Sequence, residues 1–469
     1  MGFPWVFSGL LGGVWIGARS YCRRFDNRAR VNVMEPGFDV ELSETARIAR
    51  DLIRIDTSNR GEGDANPERP AADYVVAYLK ELGLEPVVIE SAPGRANVVA
   101  RVQGRDPELP ALVLHGHLDV VPADPANWTV DPFEGVVKDG MLWGRGAVDM
   151  KDMDAMMLTS VAEILRAGDK PRRDIILTFF ADEEAGGALG SQYMVEHHPE
   201  LFAGAGTAIS EVGGYSIDVA GTRAYLIQTG EKALDWIRIR ARGTAGHGSR
   251  LWPDNAVTRV AEAVVAIGRK EWPIGLTNTT RDLVAAVAEI LGEDPEEVSP
   301  TELVLRLGKG GGFIQASLQT TTNPTVLQAG YKHNVIPDTA EALVDVRALP
   351  GDQEKVRDEL QAIVGDDIEI EYLTSGIGFE VPFEGEAIDA MRAALEKHDP
   401  GAKVFPYLLS AGTDNKWLTM LGITGYGFVP LRLPAELDFP GMFHGVDERV
   451  PLESLDFGHR VLVDLLRAY

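Results

Sequence analysis

Three acidic side chains stand in a row at Asp182, Glu183 and Glu184, directly after the apolar stretch IILTFFA. Negative charge gathered where a buried strand ends needs compensation, and bound divalent cations supply it. The chain has a single cysteine, so a metal site in it would use carboxylate and imidazole ligands. Taken by itself, a run of acids is equally typical of a solvated turn, so further ligands are required.

Histidines with the right spacing occur in the stretch LVLHGHLDVVP, where His115, His117 and Asp119 occupy alternate positions at the end of a strand. Alternate residues of a strand project to the same face, so the three side chains can point the same way. A lone histidine at a strand end is more often a structural residue than a ligand. Two histidines and an aspartate improve the case for a metal site only in part.

More donors follow other predicted strands and turns. Asp149 comes after the glycine-containing turn GRGAVD, Glu211 follows the strand-like GTAIS, and His444 lies in GMFHGVDERV. Open α/β sheets bind ligands beyond the carboxyl ends of their strands, where most of these residues fall. A dinucleotide loop at GRGAVD is rejected because the third glycine is missing and Asp149 would repel a pyrophosphate.

The elements that must position these residues alternate between helices and short strands, which predicts an α/β sheet. A βαβ unit is predicted where the helix DMDAMMLTSVAEILRAG ends at Gly168 and leads into the strand DIILTFFA. The other predicted helices of this half span 44–55 and 71–82, and its other strands span 86–89, 97–102 and 111–114.

The pattern changes near Ala220, where AYLIQTG and ALDWIRIRARG read as two strands followed by a helix at 256–267. The continuing β-β-α-β-α-β series predicts a small sandwich of helices on an antiparallel sheet, with residues 275–320 as an insertion within it. The predicted organisation is an N-terminal extension, disordered or a mis-annotated start, then two halves of a catalytic domain around an inserted domain: 1–38, 39–224, 225–376 and 377–469.

The net charge and the N-terminal segment limit the kinds of partner that are expected. The net charge of −26 repels phosphate backbones and anionic lipid, so no nucleic-acid partner is expected. The apolar stretch at 3–17 is short for a membrane span and lacks the basic residues that open a signal peptide. We expect a cytoplasmic protein with no membrane span in its core, with export or membrane tethering as the alternative.

Six motifs in this order resemble the M20 family of metallopeptidases and deacylases: HGHLDVVP, GRGAVDMKD, DEEAGG, SEVGG, GTAGHGS and HGVDERV. The resemblance covers about residues 40 to 469. It implies a zinc-peptidase-type α/β catalytic domain with an inserted α+β ferredoxin-like domain that serves as lid and dimerisation domain. It also implies a homodimer formed through that domain, with a monomer as the alternative.

The resemblance further implies two Zn²⁺ ions, for which Co²⁺ or Mn²⁺ could substitute. Their implied ligands are a bridging carboxylate and two terminal pairs: Asp149, His117 with Glu211, and Glu184 with His444. Glu183 would be the general base, and Asp119 would orient His117. His115 is interpreted as structural, and Asp182 as a surface residue or a support of the ligands.

Substrate-binding residues are also implied by the resemblance. His247 in GTAGHGS would polarise the scissile carbonyl, although the motif alone fits a tight loop. Asn334 and Arg347 match positions that grip a substrate carboxylate, and an arginine on a sheet surface is the alternative. The segment at 412–414 in SAGTDNKW is similar to a site-lining segment of the family.

The predicted function is a dinuclear zinc hydrolase that cleaves the amide bond of N-acyl amino acids or small peptides with a free carboxylate, by attack of a metal-bridging hydroxide. With a glutamate at position 211 as the implied terminal ligand, the chain resembles the carboxypeptidase and acylase branches of the family. A dipeptidase or aminopeptidase of the same family, or a non-catalytic binding protein on the same fold, are the alternatives. A dinuclear phosphoesterase is disfavoured because no phosphate-cradling loop accompanies the acids.

Overall fold

The computed structural model describes residues 41–61 and 63–469, and the extension predicted at 1–38 lies outside them. Leu42–Tyr469 form one structural unit. Its helices are α1 (Glu44–Ile53), α2 (Arg69–Glu81), α3 (Lys151–Arg166), α4 (Ser191–His197), α5 (Ala256–Gly268), α6 (Asn278–Leu291), α7 (Pro300–Leu305), α8 (Gly311–Gln315), α9 (Gln353–Val364), α10 (Glu386–His398), α11 (Asn415–Leu418) and α12 (Leu452–Ala468).

The strands of the same described part follow the α/β alternation that the sequence predicts. They are β1 (Val87–Ala92), β2 (Arg95–Val102), β3 (Ala111–His117), β4 (Val136–Lys138), β5 (Met141–Trp143), β6 (Ile175–Phe180), β7 (Ala205–Ser210), β8 (Ser216–Val219), β9 (Thr222–Glu231), β10 (Ala233–Arg242), β11 (Gly246–His247), β12 (Thr321–Ala329), β13 (Val335–Ile336), β14 (Thr339–Ala348), β15 (Ile368–Ser375), β16 (Phe379–Glu380), β17 (Lys403–Leu409), β18 (Thr424–Gly427) and β19 (Arg449–Pro451).

The larger sheet has ten strands within the described residues, in the order β1-β2-β6-β3-β7-β18-β9-β16, with β8 and β17 also paired to β9. At its centre β3 runs parallel to both β6 and β7, and β18 runs parallel to β7. Every residue of β3 and β6 is buried, as expected for parallel strands covered on both faces. The carboxyl ends of these strands therefore open on one edge of the sheet.

The smaller sheet has the order β12-β14-β10-β15, and its neighbouring strands are antiparallel. Helices α5 and α9 pack on it around a separate apolar core that includes Ile237, Val260, Val344 and Leu360. Along the chain the elements run β10, α5, β12, β14, α9, β15. This is the β-α-β-β-α-β order of a ferredoxin-like arrangement. Its roles as a lid and in dimerisation stay predictions.

One strand lies in a different sheet from the one expected. The stretch AYLIQTG was expected to open the smaller sheet, but β9 pairs in the larger sheet with β8, β16, β17 and β18. The cause is visible in the burial: residues 224–231 are all buried, whereas β10 alternates between buried and partly exposed positions. Continuous burial is typical of a central strand, and alternation is typical of a sheet with one wet face.

The insertion at 275–320 packs on the larger sheet, although its position in the chain is within the smaller domain. Its helices contribute Leu283, Val287, Leu303 and Ile314 to the core of the larger sheet, and α6 packs against β17. Hydrogen bonds from the buried Nζ of Lys232 connect the end of the insertion to the sheet. This nitrogen donates to three oxygens at 2.8–3.2 Å: Ala316 O, Gln319 O and Thr321 Oγ1.

Helix ends follow local chemistry. The side chain of Ser43 caps α1 by accepting a hydrogen bond from the backbone N–H of Ala46 at 3.2 Å. Helix α3, almost wholly buried, ends just before Gly168, whose φ of 69° is in the left-handed region. Across the described part of the chain, none of the helices combines the length and the apolar character needed to cross a membrane.

Candidate metal centre

The predicted ligands arrive from five places at one edge of the larger sheet. His117 is the last residue of β3, Glu184 lies in a short 3₁₀ turn after β6, and Glu211 follows β7 directly. Asp149 comes just before α3, and His444 stands in the loop that leads to β19. The parallel strands β3, β6 and β7 thus bring three of the donors to the same place for a topological reason.

Asp149 lies between the two histidines. Its Oδ1 is 3.1 Å from Nε2 of His117, and its Oδ2 is 3.3 Å from Nε2 of His444. Each histidine also faces a second carboxylate: Glu211 Oε2 lies 3.5 Å from His117 Nε2, and Glu184 Oε2 lies 3.1 Å from His444 Nε2. The five predicted ligands therefore form two adjacent groups that share one carboxylate.

These spacings fit metal ions. Bonds of about 2.1 Å to a tetrahedral zinc place neighbouring ligand atoms about 3.4 Å apart, close to the spacing of each histidine from its carboxylates. Hydrogen bonds to Asp149 and Glu184 raise the pKa of His444 to about 11. Burial lowers the pKa of His117, but Glu211 and its other acidic neighbours together raise it well above its usual value. Both imidazoles thus lie in a field that favours cations.

Asp119 organises the acidic turn. Its carboxylate accepts hydrogen bonds from the backbone N–H groups of Glu183 at 3.1 Å and Glu184 at 3.2 Å. Nδ1 of His117 is 2.9 Å from the backbone oxygen of Asp119 and 3.6 Å from its Oδ1. The contact to His117 is therefore made mainly by the Asp119 main chain, and the Asp119 side chain holds the turn.

Glu183 lies beside the ligands. One of its carboxylate oxygens is within 4.8 Å of ligand atoms of His117 and Glu211. Burial is the largest influence on the Glu183 carboxyl and raises its pKa. A carboxyl group in this position can exchange a proton with a water molecule held at the cluster.

Asp182 is buried, so its interpretation as a surface residue is wrong, and the alternative of a supporting residue fits. Its Oδ1 accepts hydrogen bonds from Arg95 Nη2 at 2.9 Å and from Asn59 Nδ2 at 3.1 Å. The same Asn59 nitrogen donates to Asp119 at 2.9 Å. The acidic turn is thus fixed by a buried network that the run of letters DEE does not reveal.

His115 points to a different set of partners from those of His117. It is fully buried, and its Nε2 is 3.0 Å from Oδ1 of Asn415. Burial lowers the pKa of His115 to about 4, so the ring is neutral at physiological pH. This position agrees with the structural role expected for it.

His247 and Asn334 are brought together by the two-stranded ladder of β11 and β13. The backbone N–H of Gly248 donates to Asn334 O at 3.0 Å, and Nδ1 of His247 is 2.8 Å from Ser249 Oγ. Both predicted residues are exposed. Among residues 41–61 and 63–469, no hydrogen bond or ion pair joins either one to the metal ligands, so their substrate roles stay predictions.

Arg347 has its guanidinium already engaged. Nε and Nη2 donate to the two oxygens of Asp345 at 2.8 and 3.0 Å, and Nη1 donates to Ser410 O at 3.1 Å. The fork that was expected to hold a substrate carboxylate is thus occupied by a carboxylate of the protein.

The segment at 412–414 packs on the acidic turn. Glu231 Oε2 accepts hydrogen bonds from the backbone N–H and the hydroxyl of Thr413, at 3.0 and 2.7 Å. Asp414 hydrogen-bonds Ser191, and Trp417 Nε1 donates to Gly186 O at 3.2 Å. The helix that follows the segment, α11, therefore lies against the turn that carries Glu183 and Glu184.

Two buried residues of this region were not predicted. Glu448 accepts hydrogen bonds from Arg145 Nη1 and from the backbone N–H of Val148, each at 2.6 Å. Lys416 is part of α11, and in the sequence it lies between Asp414 and Trp417. The sequence pointed to these two residues only through their positions in recognised motifs. Glu448 is part of HGVDERV, and Lys416 is part of SAGTDNKW.

The chain is similar to known proteins over most of its length. Residues 113–468 match the description of peptidase family M20/M25/M40. Human aminoacylase-1 is 29% identical over 416 residues, covering 84% of this chain and 91% of that protein. The N-fatty-acyl-amino acid synthase/hydrolase PM20D1 of Xenopus tropicalis is 27% identical over 448 residues, covering 91% and 86%. The solved M20 family metallo-carboxypeptidase Sso-CP2 from Sulfolobus solfataricus superposes with a TM-score of 0.71 at 16% identity, covering 91% of this chain and 99% of that one.

Proposed function

The chain belongs to peptidase family M20/M25/M40, and on this premise we propose that it is a dinuclear zinc hydrolase of N-acyl amino acids or of small peptides with a free carboxylate. The observation that carries the proposal is the placement of Asp149, whose two oxygens face two different histidines. One bridging carboxylate with two imidazole-containing groups suits a pair of divalent cations.

The substrate class is supported by the relatives. Human aminoacylase-1 and the frog N-fatty-acyl-amino acid synthase/hydrolase are both named for acyl amino acids, and each matches most of this chain. An acyl amino acid contains an amide bond and a free carboxylate. We infer the same substrate class here.

The residues of the site divide the work. When bound, the two cations would acidify a water molecule and polarise the amide carbonyl. The Glu183 carboxylate would take a proton from the water molecule whose oxygen bonds to the amide carbon, and would give it to the nitrogen as the C–N bond breaks. Asp119 keeps Glu183 beside the ligands by binding its backbone N–H. His444, with a side chain that is 58% exposed, marks the open side from which a substrate reaches the cluster.

The proposal extends to the setting of the enzyme. We propose that the β-α-β-β-α-β domain forms a homodimer and covers the site with His247 and Asn334. We also propose a cytoplasmic location.

A substrate panel tests the proposed reaction. Purified protein loaded with Zn²⁺, Co²⁺ or Mn²⁺ is offered N-acetyl, N-succinyl and long-chain N-acyl amino acids, dipeptides and a phosphomonoester. We expect release of the amino acid from at least one N-acyl substrate, loss of this activity on chelation and recovery on adding metal. Hydrolysis of the phosphomonoester alone, or amide hydrolysis that survives chelation, would contradict the proposal.

A further inference from the structure

Lys416 is a lysine with a largely buried side chain, and no residue in the described part of the chain pairs with its ammonium. The residue is 6% exposed. Its hydrogen bonds run through its backbone: its N–H donates to Thr413 O, and its carbonyl accepts from Thr419 Oγ1. Across residues 41–61 and 63–469, no hydrogen bond or ion pair reaches its Nζ. Unlike Oε1 of Glu231, the Nζ atom is not completely enclosed, so the ammonium is accessible to an anion from outside the chain.

The ammonium lies next to an opening in the segment 412–414. Gly412 is partly exposed, and a Cβ placed on it would lie 3.4 Å from Lys416 Nζ. The same Cβ would lie 3.8 Å from Oε1 of Glu231, a buried oxygen to which none of the described residues donates a hydrogen bond. Because Gly412 has no side chain, there is space beside the Lys416 ammonium.

The helix that carries Lys416 lies beside the turn that carries Glu183 and Glu184. Helix α11 is held on the acidic turn, because Trp417 Nε1 donates to Gly186 O and Asp414 hydrogen-bonds Ser191. Lys416 lies between these two contacts in the sequence. The distance between the carboxylate and the amide of an amino acid is short, so an anchor for the carboxylate must be near the metal centre.

The arginine expected to serve as this anchor is less suitable. The guanidinium of Arg347 is bound by both oxygens of Asp345 and by Ser410 O. A substrate carboxylate at Arg347 would have to compete with an acid that the protein already provides. Among residues 41–61 and 63–469, no acid lies within hydrogen-bond distance of Lys416 Nζ.

We propose that Lys416 is the residue that binds the free carboxylate of the substrate. The inference rests on the proposed function, since it concerns the same site and the same class of substrate. A competing explanation is that Lys416 only offsets the charge of Glu183, Glu231 and Asp414, which surround this part of the site. The two explanations differ in whether Lys416 distinguishes a substrate acid from its amide.

The test compares each active N-acyl amino acid with its C-terminal carboxamide. The variants are Lys416→Met, Lys416→Arg, Arg347→Met and, as a matched loss of one charge, Lys403→Met on the exposed start of β17. We expect Lys416→Met to reduce the acid-to-amide ratio of kcat/KM by about 10- to 100-fold, as for the loss of a charged hydrogen bond. Lys416→Arg should keep the ratio, as should Lys403→Met. Arg347→Met should change it less than Lys416→Met.

A binding measurement separates the possible failures. The product amino acid and its amide are titrated calorimetrically into each variant, with melting temperature as a check of folding. Preferential loss of binding of the acid by Lys416→Met supports the proposal. Equal losses for acid and amide, or an unchanged preference, would overturn it while the hydrolase function stands. If the wild-type protein hydrolyses no N-acyl amino acid, the proposed function itself fails, and the carboxylate anchor is withdrawn with it.

Discussion

The buried carboxylate of Glu448 accepts a hydrogen bond from the backbone N–H of Asp149, with 3.1 Å between Oε1 and the nitrogen. The same oxygen binds the preceding N–H, of Val148, and the other oxygen binds Arg145. The residue that faces both histidines is therefore held by its main chain as well as by its side chain. This arrangement makes Glu448 a positioning residue.

We predict that Glu448→Gln weakens zinc binding by roughly 10- to 100-fold, the range typical of groups that orient metal ligands. A glutamine side chain has only one oxygen, so it cannot accept hydrogen bonds from the two backbone N–H groups and from Arg145 as Glu448 does. Asp149 would therefore shift. Competition with a chromogenic chelator measures the affinity. Glu453→Gln, an exposed glutamate in the first turn of α12, is the control. Equal affinities for the Glu448 variant and this control would contradict the assignment.

Glu183 and Glu184 are adjacent, but we predict different losses from them. Glu183→Ala should keep both metals and lose turnover by about 100-fold or more, because it removes the proton carrier alone. Glu184→Ala should lose metal as well, because Glu184 faces His444. Metal content by mass spectrometry, measured beside kcat, distinguishes the two. A Glu183→Ala enzyme with a near-native kcat would show that another group carries the proton.

The insertion reaches the metal centre through an aromatic pair. Phe313 of α8 stacks on Phe443, the residue before His444, with ring centroids 6.3 Å apart and an interplanar angle of 10°. We predict that Phe313→Ala lowers the affinity for the metal ion beside His444 about tenfold and lowers the affinity for the other ion less. Stepwise chelation resolves the two affinities. Leu305→Ala, at an exposed position of the insertion, should change neither, and a uniform loss for both metals would contradict this role.

Lys232 gives the stability a pH dependence. Burial lowers its pKa to about 7, whereas a lysine of the unfolded chain titrates near 10.4. Between these values the unfolded state binds the extra proton, so this residue makes the folded state more stable as pH rises. Lys232→Met should cost about 1–3 kcal/mol at pH 7 through its unsatisfied carbonyl partners.

The deficit of Lys232→Met relative to the wild type should grow from about pH 7 to pH 10, because the variant lacks this titration. Urea unfolding across that range measures it. Lys270→Met, which removes an ion pair with Glu359 near the surface, is the matched control and should show a small loss. A deficit that is constant or shrinks with pH would show that Lys232 is protonated in the fold.

The sequence predicted the parts of the site that depend on motif and strand order. His117, Glu184 and Glu211 each follow a predicted parallel strand, and parallel strands end at one edge, so their meeting could be foreseen. The α/β class was predicted for the same reason and is confirmed by the fold of the M20 neighbours.

What could not be predicted depends on contacts between distant segments. The membership of β9 is decided by which neighbours cover its buried residues, and the insertion packs on the larger sheet through side chains such as Leu283. Asp182 looked like surface charge because its partner Arg95 lies 87 residues away along the chain. Lys416 becomes conspicuous only in the fold, where no hydrogen bond from the described residues reaches its Nζ.

The central claim is that two metal ions flank Asp149, and anomalous diffraction from crystals of the zinc-loaded protein tests it most directly. We predict two peaks roughly 3.5–4 Å apart, one beside His117 and Glu211 and the other beside His444 and Glu184. A single peak, or zinc bound away from these residues, would contradict it.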